Sequence, residues 1–202
     1  LLTLVLTAIT LWVLPDFLLR FICVVITRFC YRIRTVGTEN VPTDGPALLV
    51  CNHVSYVDAL LLLATQQRRI RFLADRHVYE KRRYHVWMRL LGVIPIQFRD
   101  SPKTIIESLQ RARTALDEGY LVCIFAEGAL TRTGNLLAFK GGFRHIVKGT
   151  ACPVVPVYLG GAWGSIFSYA HGQLMSRLPL RFPYPVTVLF GPVLPADVSP
   201  TE

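Results

Sequence analysis

The 202-residue chain is 52% hydrophobic and carries a formal net charge of +9, with a mean hydropathy of +0.41. It is long enough for one core-forming domain plus a small appendage, and a basic chain this apolar fits a membrane surface better than a nucleic acid. Its five cysteines, odd in number and with no Cys-x-x-Cys pair, exclude a disulfide framework or a cysteine zinc site and point to a reducing compartment.

The charge is concentrated in two places. Residues 16–34 hold four arginines against Asp16, residues 68–89 hold eight Lys or Arg against Asp75 and Glu80, and the remainder balances. Residues 1–14, LLTLVLTAITLWVL, are uncharged and apolar. As a helix they rise about 21 Å, short of a hydrocarbon core about 30 Å thick. The run reads as the end of a cut transmembrane helix, as a re-entrant piece or, with no basic n-region and no cleavage site, less well as a signal core. With no initiator Met, the chain reads as a segment of a longer protein. After Pro15 and Asp16, FLLRFICVVITRFCYRIR puts Arg20, Arg28 and Arg32 on one helical stripe against a broad apolar face. That pattern suits a helix lying in a membrane interface, or an arm packed on the first; a helix packed on a soluble core is the alternative.

From Ile33 the pattern becomes strand–helix alternation. The runs ALLVC (47–51), IRFLA (70–74), VIPI (93–96), LVCIF (121–125), PVVPVYL (153–159) and VTVLF (186–190) are mostly apolar throughout, as in strands buried on both faces. Between them SPKTIIESLQRARTALDEG predicts a helix with Ser101 as N-cap, Pro102 as first residue and Gly119 as terminator. The expected fold is α/β: a single domain (33–202) with a largely parallel mixed sheet flanked by helices, preceded by a hydrophobic and amphipathic helical membrane arm (1–32).

In VCNHVSYVDALLLL (50–63) a histidine and an aspartate stand five residues apart. On an unbroken helix they would lie about 140° apart and never meet. The strand ending near Cys51 instead places His53 in a loop and Asp58 in the first turn of the next helix, where the acid can reach back to one ring nitrogen. Carboxyl ends of strands are where α/β sheets place their sites. On spacing alone another reading stands beside this one: Ser55-Tyr56-Val57-Asp58 fits a capping box, with Ser55 as N-cap and His53 as a polar loop residue.

Four stretches occur in order: NHVSYVD (52–58), GVIPIQFR (92–99), FAEGALTRTG (125–134) and VVPVYLGG (154–161). Together they resemble the blocks of the glycerolipid acyltransferase family, whose type members are the 1-acylglycerol-3-phosphate acyltransferases and related lysophospholipid acyltransferases. The resemblance spans about residues 33–190. It departs from the family pattern where Ala126 replaces a Pro, where Ala129-Leu130 replaces Thr-Arg so that the nearest arginine is Arg132, and where the second block's arginine comes one residue late, at Arg99. Glu127 and Gly128 match directly. The variant third block looks closest to the bacterial branch that re-acylates 2-acylglycerophosphoethanolamine, in which the domain can be fused to a lysophospholipid transporter and an acyl-carrier-protein synthetase.

Acyl transfer from a thioester to an alcohol needs a base, a group that orients the base, donors for an oxyanion and cations for a phosphate. His53 is assigned the base and Asp58 its orienter, the substrate hydroxyl standing in for an enzyme serine. Glu127 and Gly128 are expected to shape the acceptor site, the carboxylate orienting an arginine or a substrate hydroxyl. Arg99, Arg132 and, more weakly, Lys140 are the phosphate candidates. Cys51 is expected to be a buried strand-end thiol. His77, His85, His145 and His171 show no ligand spacing, so no metal is expected, and no cofactor beyond acyl-CoA or acyl carrier protein as co-substrate. The basic–aromatic segment 68–89 suits a headgroup-facing rim, or a landing place for carrier protein or coenzyme A.

The expected function is therefore transfer of a fatty acyl group from acyl-CoA or acyl carrier protein to the free hydroxyl of a lysophospholipid. The expected place is the cytoplasmic face of a membrane, a bacterial inner membrane on the branch resemblance, with no nucleic-acid partner. The rivals are a non-catalytic lipid-binding module in a transporter fusion and a phospholipid transacylase that uses no thioester.

Overall fold

Strands that are apolar along their whole length should lie where both faces of a sheet are covered, and the run ALLVC (47–51) does. The structure is a computed structural model that describes Thr3, Thr7 and residues 15–97, 101–172 and 182–197. Apart from the helical positions Thr3 and Thr7, the apolar run 1–14 lies outside the described residues, as does Arg99. Among the described residues the strands are β1 (Tyr31–Val36), β2 (Ala47–Cys51), β3 (Ile70–Asp75), β4 (Ile94–Ile96), β5 (Leu121–Phe125), β6 (Val154–Gly160) and β7 (Tyr184–Phe190). They form one sheet in the order β1-β7-β6-β2-β5-β3-β4. Every pairing is parallel except that of β6 with β7. The helices are α1 (Pro15–Cys30), α2 (Asp58–Leu63), α3 (Arg76–Glu80), α4 (Arg82–Leu90), α5 (Pro102–Asp117) and α6 (Gly142–Val147).

The central strand β2 is buried at all five positions. Leu48 and Val50 join one apolar layer with Leu109, Ala112, Leu116, Ile146 and Val147 beneath α5 and α6. Leu49 and Cys51 join the other with Leu61, Leu62, Val157 and Phe190. The six residues of α2 are too few for an isolated helix. Leu61 and Leu62, both wholly buried, hold it on the sheet, each contributing about 1.5–3 kcal/mol of burial. In α5 the Ser101 hydroxyl accepts from the Thr104 amide, Pro102 opens the helix and Gly119 ends it in the left-handed region at φ +84°, as its sequence predicts.

The amino-terminal part departs from the predicted pattern. The helical stripe does not run through Arg32: α1 stops at Cys30, and YRIRTV becomes β1, an edge strand parallel to β7. The arginines of α1 face the protein. Arg20 donates to the Gln66 carbonyl at 2.5 Å and Arg28 to the Ala64 carbonyl at 2.8 Å, in the segment that ends α2, where unpaired carbonyls and the negative end of the helix dipole favour cations. Asp16 pairs with Arg69 at 2.6 Å. Turned the other way are Phe17, Phe21, Ile22, Val25, Ile26 and Phe29, all exposed. Charge inward and hydrocarbon outward is the reverse of an ordinary surface helix. Among the described residues no helix is long and apolar enough to cross a membrane.

The basic segment 68–89 also divides. Arg68 donates to the carbonyls of Pro42, Gly45 and Gly119, and Arg71 stacks on Tyr120, so these residues tie loops together. Lys81, Arg82, Arg83 and Arg89 are exposed along α4 beside Tyr84, Val86 and Trp87.

Candidate active site

The register of the central strands decides what meets. Cys51, the last residue of β2, pairs with Phe125, the last of β5, and with Val157 of β6. The loops that leave β2 and β5 therefore start side by side at the carboxyl edge of the sheet. The Ala126 amide donates to the Cys51 carbonyl at 3.0 Å and the Thr131 amide to the His53 carbonyl at 3.1 Å, which extends the pairing into both loops. On the other flank, Asn52 continues the ladder with its side chain: its amide nitrogen donates to the Leu159 carbonyl at 3.0 Å and its amide oxygen accepts from the Leu159 nitrogen at 2.7 Å.

Within this frame the Nδ1 of His53 lies 2.8 Å from Oδ2 of Asp58. Asp58 is wholly buried, whereas the His53 side chain keeps 23% exposure. The same Oδ2 accepts from the Val54 amide at 2.6 Å and the Ser55 amide at 2.9 Å, and Oδ1 accepts from the Ser55 hydroxyl at 2.6 Å. A carboxylate oxygen beside Nδ1 makes that nitrogen the donor, so the neutral ring carries its proton on Nδ1 and presents Nε2 as the basic nitrogen. The ring stacks on Phe125, centroids 4.2 Å apart at 18°. Both sides of the sequence ambiguity are thus partly realised: Asp58 reaches back to the Ser55 amide as in a capping box and also takes the histidine. Ser55 is not the N-cap expected for it. Val57 occupies that position with no side-chain cap, because the Ser55 hydroxyl is spent on Asp58.

Glu127 is buried and spans two loops. Its Oε1 accepts from the His53 backbone amide and its Oε2 from the Leu137 amide, both at 2.9 Å. The carboxylate is thereby occupied by main chain, and it holds His53 from below. Gly128 makes the turn possible at φ +67°, a left-handed conformation that disfavours a side chain, and its amide closes on the Phe125 carbonyl at 3.0 Å. Lys140 is exposed, its amide donating to the Ala126 carbonyl at 2.8 Å, so it ends the loop that Ala126 begins. Arg132 stands next to Thr131, its guanidinium 3.5 Å from the centre of the Tyr169 ring. The Tyr169 hydroxyl meets that of Tyr56 at 2.8 Å. Partial burial, then the bond to Tyr169, pushes the Tyr56 hydroxyl up to about 12.

Cys51 is wholly buried, and burial raises its thiol far above the usual range, which makes it a poor nucleophile. Phe125, Asn52, Thr131, Tyr56 and Tyr169 were not singled out by sequence. Asn52, Tyr56, Phe125 and Thr131 lie inside the quoted blocks, where nothing set them apart from their neighbours, and Tyr169 lies outside all of them.

A buried acid, an imidazole whose Nε2 is not taken up by that acid, and a glycine turn at the edge of a parallel sheet are the parts that proton acceptance without an enzyme nucleophile requires. The family model named Acyltransferase matches residues 32–160, which take in His53, Asp58, Glu127, Gly128, Arg132 and Lys140. The chain belongs to the Acyltransferase family. Among its relatives is a chloroplastic 1-acyl-sn-glycerol-3-phosphate acyltransferase of Arabidopsis thaliana, 32% identical over 132 residues, covering 65% of this chain and 36% of the relative. Another is the 1-acyl-sn-glycerol-3-phosphate acyltransferase of Cocos nucifera, 30% identical over 159 residues, covering 75% of this chain and 47% of the relative. The chain thus spans less than half the length of either. The crystal structure of the 1-acyl-sn-glycerophosphate acyltransferase of Thermotoga maritima has the same fold, with a TM-score of 0.64 at 20% identity over 90% of this chain and 72% of that one. The expected α/β acyltransferase fold is therefore the observed one.

Proposed function

We propose that this chain catalyses transfer of a fatty acyl group from a thioester to the free hydroxyl of a lysophospholipid, with His53 as the base. The observation that carries the reading is the 2.8 Å contact between His53 Nδ1 and the buried Asp58. Nε2 takes the acceptor's hydroxyl proton as its oxygen attacks the thioester carbonyl. Asp58 stabilises the imidazolium so formed. The tetrahedral intermediate collapses by expelling the thiolate, which receives the proton from Nε2. Ester forms, thioester breaks, and the histidine returns neutral.

In this reading Glu127 and Gly128 set the loop that faces the acceptor, Glu127 acting through the His53 backbone. Arg132 contacts the acceptor's phosphate, with Arg99 and Lys140 as further cations. The exposed apolar face of α1, part of the amino-terminal arm of residues 1–32, rests the acyltransferase domain (33–202) on the bilayer that holds both acceptor and product. The cytoplasmic face of a membrane is the place proposed for it, because acyl-CoA and acyl carrier protein reach it there. The relatives' names favour 1-acylglycerol 3-phosphate as acceptor.

The test is a product analysis by mass spectrometry. The purified chain is offered 1-acylglycerol 3-phosphate and lysophosphatidylethanolamine, with acyl-CoA, acyl carrier protein or a diacyl phospholipid as donor. The proposal expects diacyl product that depends on a thioester, with one thiol released per ester formed. Product from the phospholipid donor alone would make the protein a transacylase. Lysolipid binding with no product from any donor would make it a binding module.

A further inference from the structure

Three segments distant in sequence meet beside the loop that carries His53. The Thr131 amide donates to the His53 carbonyl, and the Tyr56 amide donates to the Phe167 carbonyl at 3.1 Å. Ser55 and Ser168 form an antiparallel bridge. The Tyr56 and Tyr169 hydroxyls touch at 2.8 Å, and the Arg132 guanidinium lies 3.5 Å above the Tyr169 ring. These contacts close a ring: from His53 to Tyr56 along the chain, across to Tyr169, over to Arg132, and back through Thr131 to His53. Tyr169 lies beyond the residues matched by the family model.

We propose that Tyr169, itself held by Tyr56, is a positioning residue that fixes Arg132 beside His53 so that the site selects acceptors carrying a phosphate; this rests on the acyl-transfer reading. An arginine on an exposed loop samples many rotamers. Stacking its flat face on a tyrosine removes most of them and leaves the N–H groups at the guanidinium edge, in the plane suited to bidentate contact with a phosphate. Tyr56 keeps the platform from swinging, because its amide is pinned to Phe167 and its hydroxyl to Tyr169. The phosphate read here belongs to the acceptor rather than the donor. In a lysophospholipid only the glycerol carbons separate the phosphate from the hydroxyl that must reach His53. In coenzyme A or a carrier protein the phosphate lies at the far end of the pantetheine arm from the thioester.

The experiment compares Tyr169→Leu, Tyr169→Phe and Arg132→Gln, singly and as the Leu/Gln double variant. The acceptors are 1-acylglycerol 3-phosphate and the phosphate-free 1-acylglycerol of the same chain length. Tyr169→Leu keeps bulk but has no π face. It is expected to raise KM for the phosphate acceptor about five-fold, leaving kcat, the thioester KM and the KM for 1-acylglycerol unchanged. Tyr169→Phe, which keeps the π face but gives up the bond to Tyr56, should fall between the wild type and Tyr169→Leu, and Tyr169→Leu should add nothing to Arg132→Gln. Equal loss on both acceptors, a fall in kcat alone, or full additivity with Arg132→Gln would overturn the proposal. Should Tyr169→Leu not fold, Arg132→Lys, which keeps the charge and loses the flat fork, is expected to raise KM for the phosphate acceptor about five-fold, and an equal loss on both acceptors or an unchanged KM would overturn the proposal. Direct titration with a water-soluble short-chain 1-acylglycerol 3-phosphate separates the two levels. If the wild type makes no product from any donor, the acyl-transfer reading falls. A five-fold weaker titration of Tyr169→Leu then supports the clamp, and an unchanged one refutes it.

Discussion

Replacing Asp58 by asparagine changes one atom at a point where four donors converge. The carboxylate accepts from His53 Nδ1, the Val54 amide, the Ser55 amide and the Ser55 hydroxyl, at 2.8, 2.6, 2.9 and 2.6 Å, and it is wholly buried. In Asp58→Asn the remaining oxygen can stay with the Ser55 hydroxyl, but the new NH2 then faces two backbone N–H groups and the ring. Two buried amides without an acceptor cost about 1–3 kcal/mol each, so the fold should lose about 2–6 kcal/mol. The ring escapes the clash by moving its proton to Nε2 and accepting from the asparagine through Nδ1, which blocks the only nitrogen able to act as base. A carboxylate-to-amide change of this kind lowers kcat by about 10⁴ in serine-protease triads, and a loss on the order of 10³–10⁴ is expected here. The assay is initial thiol release from acyl-CoA at a temperature well below the variant's own Tm, with Tm taken from circular dichroism. A folded Asp58→Asn protein that keeps a tenth or more of the wild-type rate would refute the orienting role.

Two further changes probe the supports of the site. Glu127→Gln leaves one of the His53 and Leu137 amides without its acceptor, so Tm should fall by an amount equivalent to about 1–3 kcal/mol, and kcat should fall about ten-fold with KM for the phosphate acceptor little changed; a higher KM alone would mean that the carboxylate touches substrate. Phe21→Ser with Phe29→Ser removes two phenyl groups from the exposed face of α1, each contributing about 1.5–3 kcal/mol when transferred out of water. Co-sedimentation with phospholipid vesicles should drop at least ten-fold while Tm is unchanged, and unchanged co-sedimentation would remove α1 from the membrane contact.

Much of the central sheet was legible because β2, β5 and β6 are apolar at nearly every position, a pattern that strands covered on both faces share with little else. The helix α5 announced itself by Ser101, Pro102 and Gly119, each at the position its chemistry favours. The meeting of His53 and Asp58 followed from placing one after a strand and the other in a helix's first turn. What escaped depended on partners far along the chain. Arg20 and Arg28 read as the polar stripe of a helix lying in a membrane interface, but they donate to the carbonyls of Gln66 and Ala64, 46 and 36 residues away. The strand β1 was hidden because Arg32 continues the helical spacing of Arg20 and Arg28, and an edge strand can carry such charge. Glu127 was read as facing an arginine or substrate, but backbone amides of His53 and Leu137 occupy both its oxygens. Asn52 reaches Leu159 across 107 residues, and the stacking of Arg132 on Tyr169 is a matter of loop placement that no local pattern encodes.

The central claim is that the Nε2 of His53 accepts the acceptor's proton, and His53→Ala tests it with little interference, since among the described residues its side chain hydrogen-bonds to Asp58 and stacks on Phe125, while its backbone contacts to Glu127 and Thr131 survive the change. Acyl transfer to 1-acylglycerol 3-phosphate should fall on the order of 10²–10⁴, with KM for acceptor and donor and the Tm close to wild type. Transfer within ten-fold of the wild-type rate from a folded His53→Ala protein would contradict the account.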